Sequence, residues 1–305
     1  DEILKRLSEA YRKIRNTCKF ILGNLYDFDP SKNRLDYKDM YELDKFILHR
    51  LQGLIGQIRK AYQEHEYHIF FHAFHNFCAV DLSSFYLDII KDRLYTFKAD
   101  SVGRRSAQTA IYELLTSMVK LMSPVLSFTA EEIWGFIPRA PEHQSTRAPV
   151  TDEEIRGGVQ SVHLSRFPDV KKEWLDNNLS ERWGKILLIR SEILKALEIA
   201  RKDKLIGHSL DAKVSLFCPP ELKGFLEDYK NELNSIFIVS AVDILPVSAL
   251  RLQSSALKSD EIEGLFVAVT QASGKKCERC WNYSETVGEN NEHPMVCNRC
   301  IGNLK

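Results

Sequence analysis

Net charge is the first thing this 305-residue chain lacks, since 42 Lys and Arg balance 42 Asp and Glu. The balance excludes the strongly basic signature of a free-standing DNA or RNA binder, so any nucleic-acid contact must be local. Long apolar runs are missing too. No stretch approaches the roughly 20 residues of a membrane helix, and Asp1-Glu-Ile-Leu lacks the basic-then-apolar layout of a signal peptide. The expectation is a soluble intracellular protein. A start without Met, in what reads as mid-helix, suggests a piece of something longer or a processed N-terminus. P-loops, dinucleotide glycine motifs and nucleophile elbows are absent as well, so the sequence shows no catalytic centre. Cysteine is scarce, at seven residues, which makes the placement of four of them informative.

Those four form Cys277-Glu-Arg-Cys280, then sixteen residues, then Cys297-Asn-Arg-Cys300. Each Cys-x-x-Cys makes a tight knuckle that aims two sulfurs at one point, and two knuckles supply the tetrahedral sulfur shell that zinc accepts. Four protein ligands leave no open position for catalysis, so one structural zinc is expected. Disulfides are the competing reading, and a rubredoxin-type iron would fit the same four sulfurs. A stretch of about 35 residues cannot fold on its own core, so the metal would supply most of its folding energy.

Apolar residues recur at helical spacing from residue 1 to 137, for example Leu43, Ile47, Leu51, Leu54 and Ile58. Turn signals at Gly23-Asn24, Asp29 to Asn33, Lys98 to Arg105 and Ser123-Pro124 divide them into four or five bundled helices. Thr129 with Glu132 reads as a capping box opening a further helix. Residues 138–178 read as a linker or surface loop, rich in Pro and Gly up to Gly158. Residues 179–270 read as a small α+β domain: a helix to about Lys202, strands at Val214–Cys218, Ile236–Val239 and Leu265–Val269, and a helix opened by Pro219-Pro220. Residues 271–305 are the metal module. The fold class is therefore multidomain and mainly α: a helical bundle, a small α+β domain and a terminal four-cysteine module.

Two places suit RNA. Arg279 lies inside the first knuckle and Trp281 just after it, where a rigid turn would show a guanidinium and a flat ring side by side to an unstacked base. The plainer alternative packs Trp281 over the metal site. Arg12, Arg15 and Lys19 fall at i, i+3 and i+7 on one helix face with Asn16 beside them, and no acid lies between Tyr11 and Lys19. Such a stripe suits phosphates and one base edge, or is a solvated charged face. Asp88, Lys91, Asp92 and Arg93 read as ion pairs. His65, His68, His72 and His75 share a helical spacing but lack a His-Glu-x-x-His motif, so core packing is the expectation there rather than a metal.

Ser8-Glu-Ala-Tyr-Arg-Lys-Ile-Arg-Asn-Thr17, Phe20 to Leu25, Phe85 to Tyr95, Phe128 to Trp134, Ile206 to Leu210 and Lys276-Cys-Glu-Arg-Cys-Trp281 resemble, in order, the C-terminal half of bacterial-type isoleucyl-tRNA synthetase. The resemblance implies a helical anticodon-binding domain over 1–137, a junction domain over 179–270 and a zinc module at Cys277, Cys280, Cys297 and Cys300. Together these would grip the anticodon stem-loop of isoleucine tRNA. It implies a parent that is an ATP-dependent class I isoleucine–tRNA ligase, whose catalytic and editing domains are not in these residues. The family's His-Ile-Gly-His and Lys-Met-Ser-Lys-Ser signatures do not occur, so the chain alone is expected to be inactive. Arg279, Trp281, Arg12, Arg15, Asn16 and Lys19 become the expected tRNA contacts. A monomer in a bacterial cytoplasm, rather than a mitochondrial matrix, is implied. The valine, leucine and methionine enzymes share the broad helical pattern, but the Cys-x-x-Cys-Trp module favours isoleucine. A zinc-ribbon adaptor that binds protein is the rival from another class, and it has no need of the basic stripe.

Overall fold

A computed structural model describes residues 2–139, 161–252 and 256–304. The Pro- and Gly-rich stretch from Pro141 to Gly158 lies outside the described residues. The chain forms two compact units, one made of residues up to Leu94 and from Ala99 to Ser180, the other of Tyr95–Lys98 with Glu181 onward. No described helix is long and apolar enough to cross a membrane.

The first unit is a helical bundle. Its elements are α1 (Glu2–Gly23), α2 (Glu42–Gln63), α3 (Tyr67–Asn76), α4 (Leu87–Thr96), α5 (Val102–Met122) and α6 (Ser127–Phe136). Amphipathic spacing explains α1, which turns Ala10, Ile14, Thr17, Cys18 and Ile21 inward. Helix α5 is buried on nearly every face from Gly103 to Met122, so it is the centre of the bundle. Its polar side chains are tolerated there because each has a partner. Thr109 Oγ1 accepts the Leu35 N–H at 3.1 Å, Gln108 Nε2 donates to the Asn24 carbonyl at 2.9 Å, and Glu113 pairs with Arg34 at 2.6 Å. Ser101 caps the helix by accepting the Arg104 N–H at 3.4 Å.

A buried ionic network ties α2, α4 and α5. Asp44 is fully enclosed and accepts both Arg93 Nη atoms at 2.8 Å, the Tyr86 hydroxyl at 2.7 Å and the Ser106 hydroxyl. Burial opposes the charge on Arg93, yet the facing Asp44 carboxylate outweighs it and the guanidinium pKa is raised. Burial, and then the same carboxylate, keep the Tyr86 hydroxyl protonated. The expected ion pairing within residues 88–93 holds for Lys91 and Asp88, at 2.7 Å, while Arg93 turns to a different helix.

Between α3 and α4, residues Phe77–Tyr86 continue the helix with wider π spacing, ending where Leu87 N–H donates to the Leu82 carbonyl. Ser83 Oγ and Thr17 Oγ1 lie 3.1 Å apart, joining this segment to α1.

Two expectations for the first unit are corrected here. Helix α6 starts at Ser127 with Leu126 at its cap and no side-chain cap bond, so Thr129 and Glu132 form no capping box. Thr129 Oγ1 instead lies 3.1 Å from the Tyr11 hydroxyl. Within the expected linker or surface loop of 138–178 the described residues pack: Val162 and Trp174 are buried, Lys171 N–H donates to Gln52 Oε1 at 2.8 Å, and Phe167 stacks on Tyr62 with centroids 5.5 Å apart. His65 sits outside α3, in a turn with φ 59°, so it does not share a face with His68, His72 and His75.

The second unit opens with α7 (Asn177–Lys202), whose larger part belongs to it. It continues through β1 (Ala212–Cys218), α8 (Pro220–Glu227), α9 (Leu233–Phe237), β2 (Ala241–Pro246), β3 (Leu257–Lys258) and β4 (Phe266–Gln271). The sheet order is β2-β1-β4-β3, with β1 parallel to β2 and antiparallel to β4. Pro220 occupies the first turn of α8, where its missing N–H costs nothing. The run Ile236–Val239, expected as a strand, is the end of a short helix. Ile238 adopts φ 57° and stops α9, and the strand begins after it at Ala241. The run is apolar because Ile236, Phe237 and Val239 are buried, which is a property that helix ends and strands share.

Candidate metal centre and nucleic-acid interface

The metal module hangs on a small hairpin, β5 (Lys275–Lys276) paired with β6 (Tyr283–Ser284). Gly274 leads into it with φ 85°, and a Cβ there would come within 2.3 Å of the Ser284 backbone, so only glycine fits. The first knuckle is closed by two backbone bonds. Trp281 N–H donates to the Cys277 carbonyl at 2.8 Å, and Cys277 N–H to the Asn282 carbonyl at 2.9 Å. The second knuckle runs through Cys297 into the short turn α10 (Asn298–Ile301), and Cys297 N–H donates to Cys277 Sγ at 3.3 Å.

This folding brings all four sulfurs within 4.8 Å of one another, with every one of the four cysteines buried. Cys280 and Cys297 Sγ are 3.8 Å apart. A sulfur tetrahedron with metal–sulfur distances of about 2.3 Å has an edge of about 3.8 Å, so the donor set fits one zinc ion. Cys277, Cys280, Cys297 and Cys300 would hold it, and the Cys297 N–H is already aimed at one ligand sulfur. Val287 and Val296 pack against the cluster from the protein side. The hydrogen bond from Cys300, helped by the Asn282 backbone and by Arg299, brings the Cys280 pKa down to about 4. Cys300, as the donor, is raised, and burial raises Cys297. This is the one group among the described residues that could hold a metal ion.

Trp281 does not pack over the cluster. It has φ 66° at the end of the knuckle and leaves 59% of its surface exposed. Lys276 Nζ stands 5.4 Å from its ring centroid, a cation–π neighbour that sequence spacing alone did not single out. Arg279 corrects the expectation of a guanidinium displayed beside that ring. It is half-buried, Nη2 donates to the Thr96 carbonyl at 3.1 Å, and Nε is enclosed without a partner among the described residues.

In the first unit, Arg12, Lys13, Arg15, Asn16 and Lys19 are all exposed along α1. Among the described residues no ion pair involves any of these four cations, whereas Arg6 on the same helix is paired with Glu2 at 2.8 Å. The stripe is thus a face of unneutralised positive charge. His68 and His72 are exposed and His75 stacks on Phe71 with centroids 6.2 Å apart.

Residues 44–216 match the model of the anticodon-binding domain of tRNA ligase, and residues 274–302 match the zinc finger found in FPG and IleRS. Curated relatives include the isoleucine–tRNA ligases of Geobacter sulfurreducens, 47% identical over 304 residues, and Moorella thermoacetica, 46% identical over 305 residues. That of Syntrophotalea carbinolica is 47% identical over 305 residues. Each match covers 100% of this chain and 30–31% of the relative, so the chain spans a little under a third of the length of the relatives it matches. With the anticodon-binding model covering more than half of its residues, and the four sulfurs set for zinc within the second match, the chain belongs to the anticodon-binding domain family of tRNA ligases.

Proposed function

We propose that this chain is the tRNA-binding region of an isoleucine–tRNA ligase and grips the anticodon stem-loop of isoleucine tRNA. The observation that carries it is the exposed Trp281 ring on a knuckle stiffened by four metal-directed thiols. An exposed indole on a rigid turn offers a flat face on which an unpaired base can stack. Trp281 stacks on an anticodon-loop base. Arg12, Arg15 and Lys19 hold phosphates and Asn16 reaches a base edge. Arg279, engaged with Thr96, positions the knuckle rather than reading a base.

Zinc, when bound, supplies the fold of the module and no chemistry. By itself the chain binds tRNA and forms no aminoacyl-adenylate, because neither signature of that reaction occurs in these 305 residues. The relatives named isoleucine–tRNA ligase support assigning the attachment of isoleucine to the whole protein, and ATP as its driver is what the family resemblance implies. A single chain working in a bacterial cytoplasm is the setting that fits those relatives. A protein-binding adaptor leaves the acid-free stripe on α1 without a role.

Gel-shift titration tests the reading, using isoleucine tRNA and anticodon-swapped transcripts with and without a zinc chelator. Binding that is strongest for the isoleucine anticodon and falls on chelation is expected. Equal binding of all transcripts, unaffected by chelation, refutes it.

A further inference from the structure

Two exposed aromatic rings flank a single hydrogen bond in the second unit. The Thr96 carbonyl accepts Arg279 Nη2 at 3.1 Å. Immediately before Thr96 stands Tyr95, 59% exposed, and two residues after Arg279 stands Trp281, also 59% exposed. A second bond ties the same segments, with Lys98 N–H donating to Asn303 Oδ1 at 3.2 Å. Among the described residues nothing hydrogen-bonds to the Tyr95 hydroxyl and no ring packs on it. Among the Lys, Arg, Asp and Glu of these two stretches, Lys98, Lys275, Lys276 and Arg279 outnumber Glu278, while the zinc-loaded four-thiolate cluster itself would carry net negative charge.

We propose that Tyr95 is a second base-stacking residue, which together with Trp281 holds two unstacked bases of one single-stranded RNA loop. The proposal rests on the RNA-binding reading above and adds a contact to it. Every base has a π-face, so an aromatic ring in a cationic setting is the general device for holding unpaired nucleotides. The Arg279–Thr96 bond limits how far apart the segments carrying the two rings can lie. Through Thr96, the 3.1 Å hydrogen bond and Arg279, the path from Tyr95 Cα to Trp281 Cα is on the order of 25 Å at most. One loop can therefore span both rings. Arg279 is then a positioning residue: its loss lets the module move with Trp281 while Tyr95 stays on α4. The lysines supply attraction for the intervening phosphates without specifying sequence.

Filter binding of the zinc-loaded chain to an isoleucine tRNA transcript and to its isolated anticodon stem-loop tests this. Tyr95→Leu is expected to weaken both complexes roughly five- to hundredfold. Tyr95→Phe, which keeps the ring, is expected to stay within about twofold of the unmodified chain. Zinc content and thermal midpoint are measured alongside; if Tyr95→Leu lowers either, Tyr95→Gln is used as the ring-free variant. Tyr95→Leu binding as tightly as the unmodified chain, or Tyr95→Phe as weak as Tyr95→Leu, overturns the proposal. If Trp281→Leu still loses affinity in that case, the RNA-binding reading stands and only the Tyr95 contact falls. An unmodified chain that binds neither RNA sinks the reading beneath it, and the proposal with it.

Discussion

Replacing Arg12 and Arg15 together by alanine should change how RNA binding responds to salt, and the structure sets the size of that change. Both side chains are exposed and neither has an acidic partner among the described residues, so each is free to displace a counterion from a phosphate. A cation that neutralises a phosphate contributes about 0.7 to the slope of log K against log salt on single strands and about 0.9 on duplex. Removing two should flatten the slope by about 1.4 to 1.8. Over a fourfold rise in salt, the advantage of the unmodified chain should then shrink roughly tenfold. Arg6 is the internal control, because Glu2 already pairs with it at 2.8 Å on the same helix. Arg6→Ala should leave the slope almost unchanged. The assay is filter binding of an isoleucine tRNA transcript from about 50 to 200 mM KCl. Stability should not interfere, as exposed substitutions of this kind move it by only about 0.5 kcal/mol. An unchanged slope in the double variant, or an equal loss in Arg6→Ala, would refute the assignment of α1 to phosphate contact.

Other outcomes follow from the buried groups and the metal site. Asp44→Ala strands the enclosed Arg93 and should cost about 3–5 kcal/mol in urea denaturation, whereas Asp44→Leu with Arg93→Met should recover much of that; a loss under 1 kcal/mol for the single variant would show the network to be slack. Zinc affinity should fall as pH falls. Cys280, with its pKa near 4, is already a thiolate at neutral pH, but Cys297 and Cys300 are raised and must each release a proton to bind. Chelator competition between pH 6 and 8 should therefore show a slope of about two decades per pH unit or steeper, and a flat profile would exclude the four-thiolate site. Trp281→Ala should keep its zinc, because Val287 and Val296 rather than the indole cover the cluster, yet lose about 1–3 kcal/mol of RNA affinity. Unchanged affinity with full zinc content would remove Trp281 from the interface.

The parts of this molecule legible in the sequence are those set by short-range spacing. Helical periodicity placed the bundle helices and α7, and the paired Cys-x-x-Cys knuckles placed the metal donors. Pro220 marked the start of α8. What escaped depends on residues far apart in the chain. Nothing near Asp44 shows that it faces Arg93, and nothing near Arg279 shows that its partner is the Thr96 carbonyl. An Arg between two cysteines looks available to a ligand until its partner is known. The run Ile236–Val239 failed for another reason: burial selects the same apolar residues for a helix end as for a strand, and the turn at Ile238 decided between them. The π spacing of Phe77–Tyr86 left no mark on the apolar pattern at all.

The joint at Tyr95–Lys98 also has a place in time. Its two partners, Arg279 and Asn303, lie 183 and 205 residues further along the chain. At a synthesis rate of about 5–20 residues per second, the Thr96 carbonyl is made roughly 10–40 s before the guanidinium that engages it. During that interval the bundle helices can form and settle, since their contacts are nearer in sequence, while the Thr96 carbonyl awaits the Arg279 guanidinium. The closing of the joint therefore comes after most of the bundle contacts, and it waits on metal supply as well as on translation. A cell short of zinc would accumulate chains whose bundle is complete and whose joint is open.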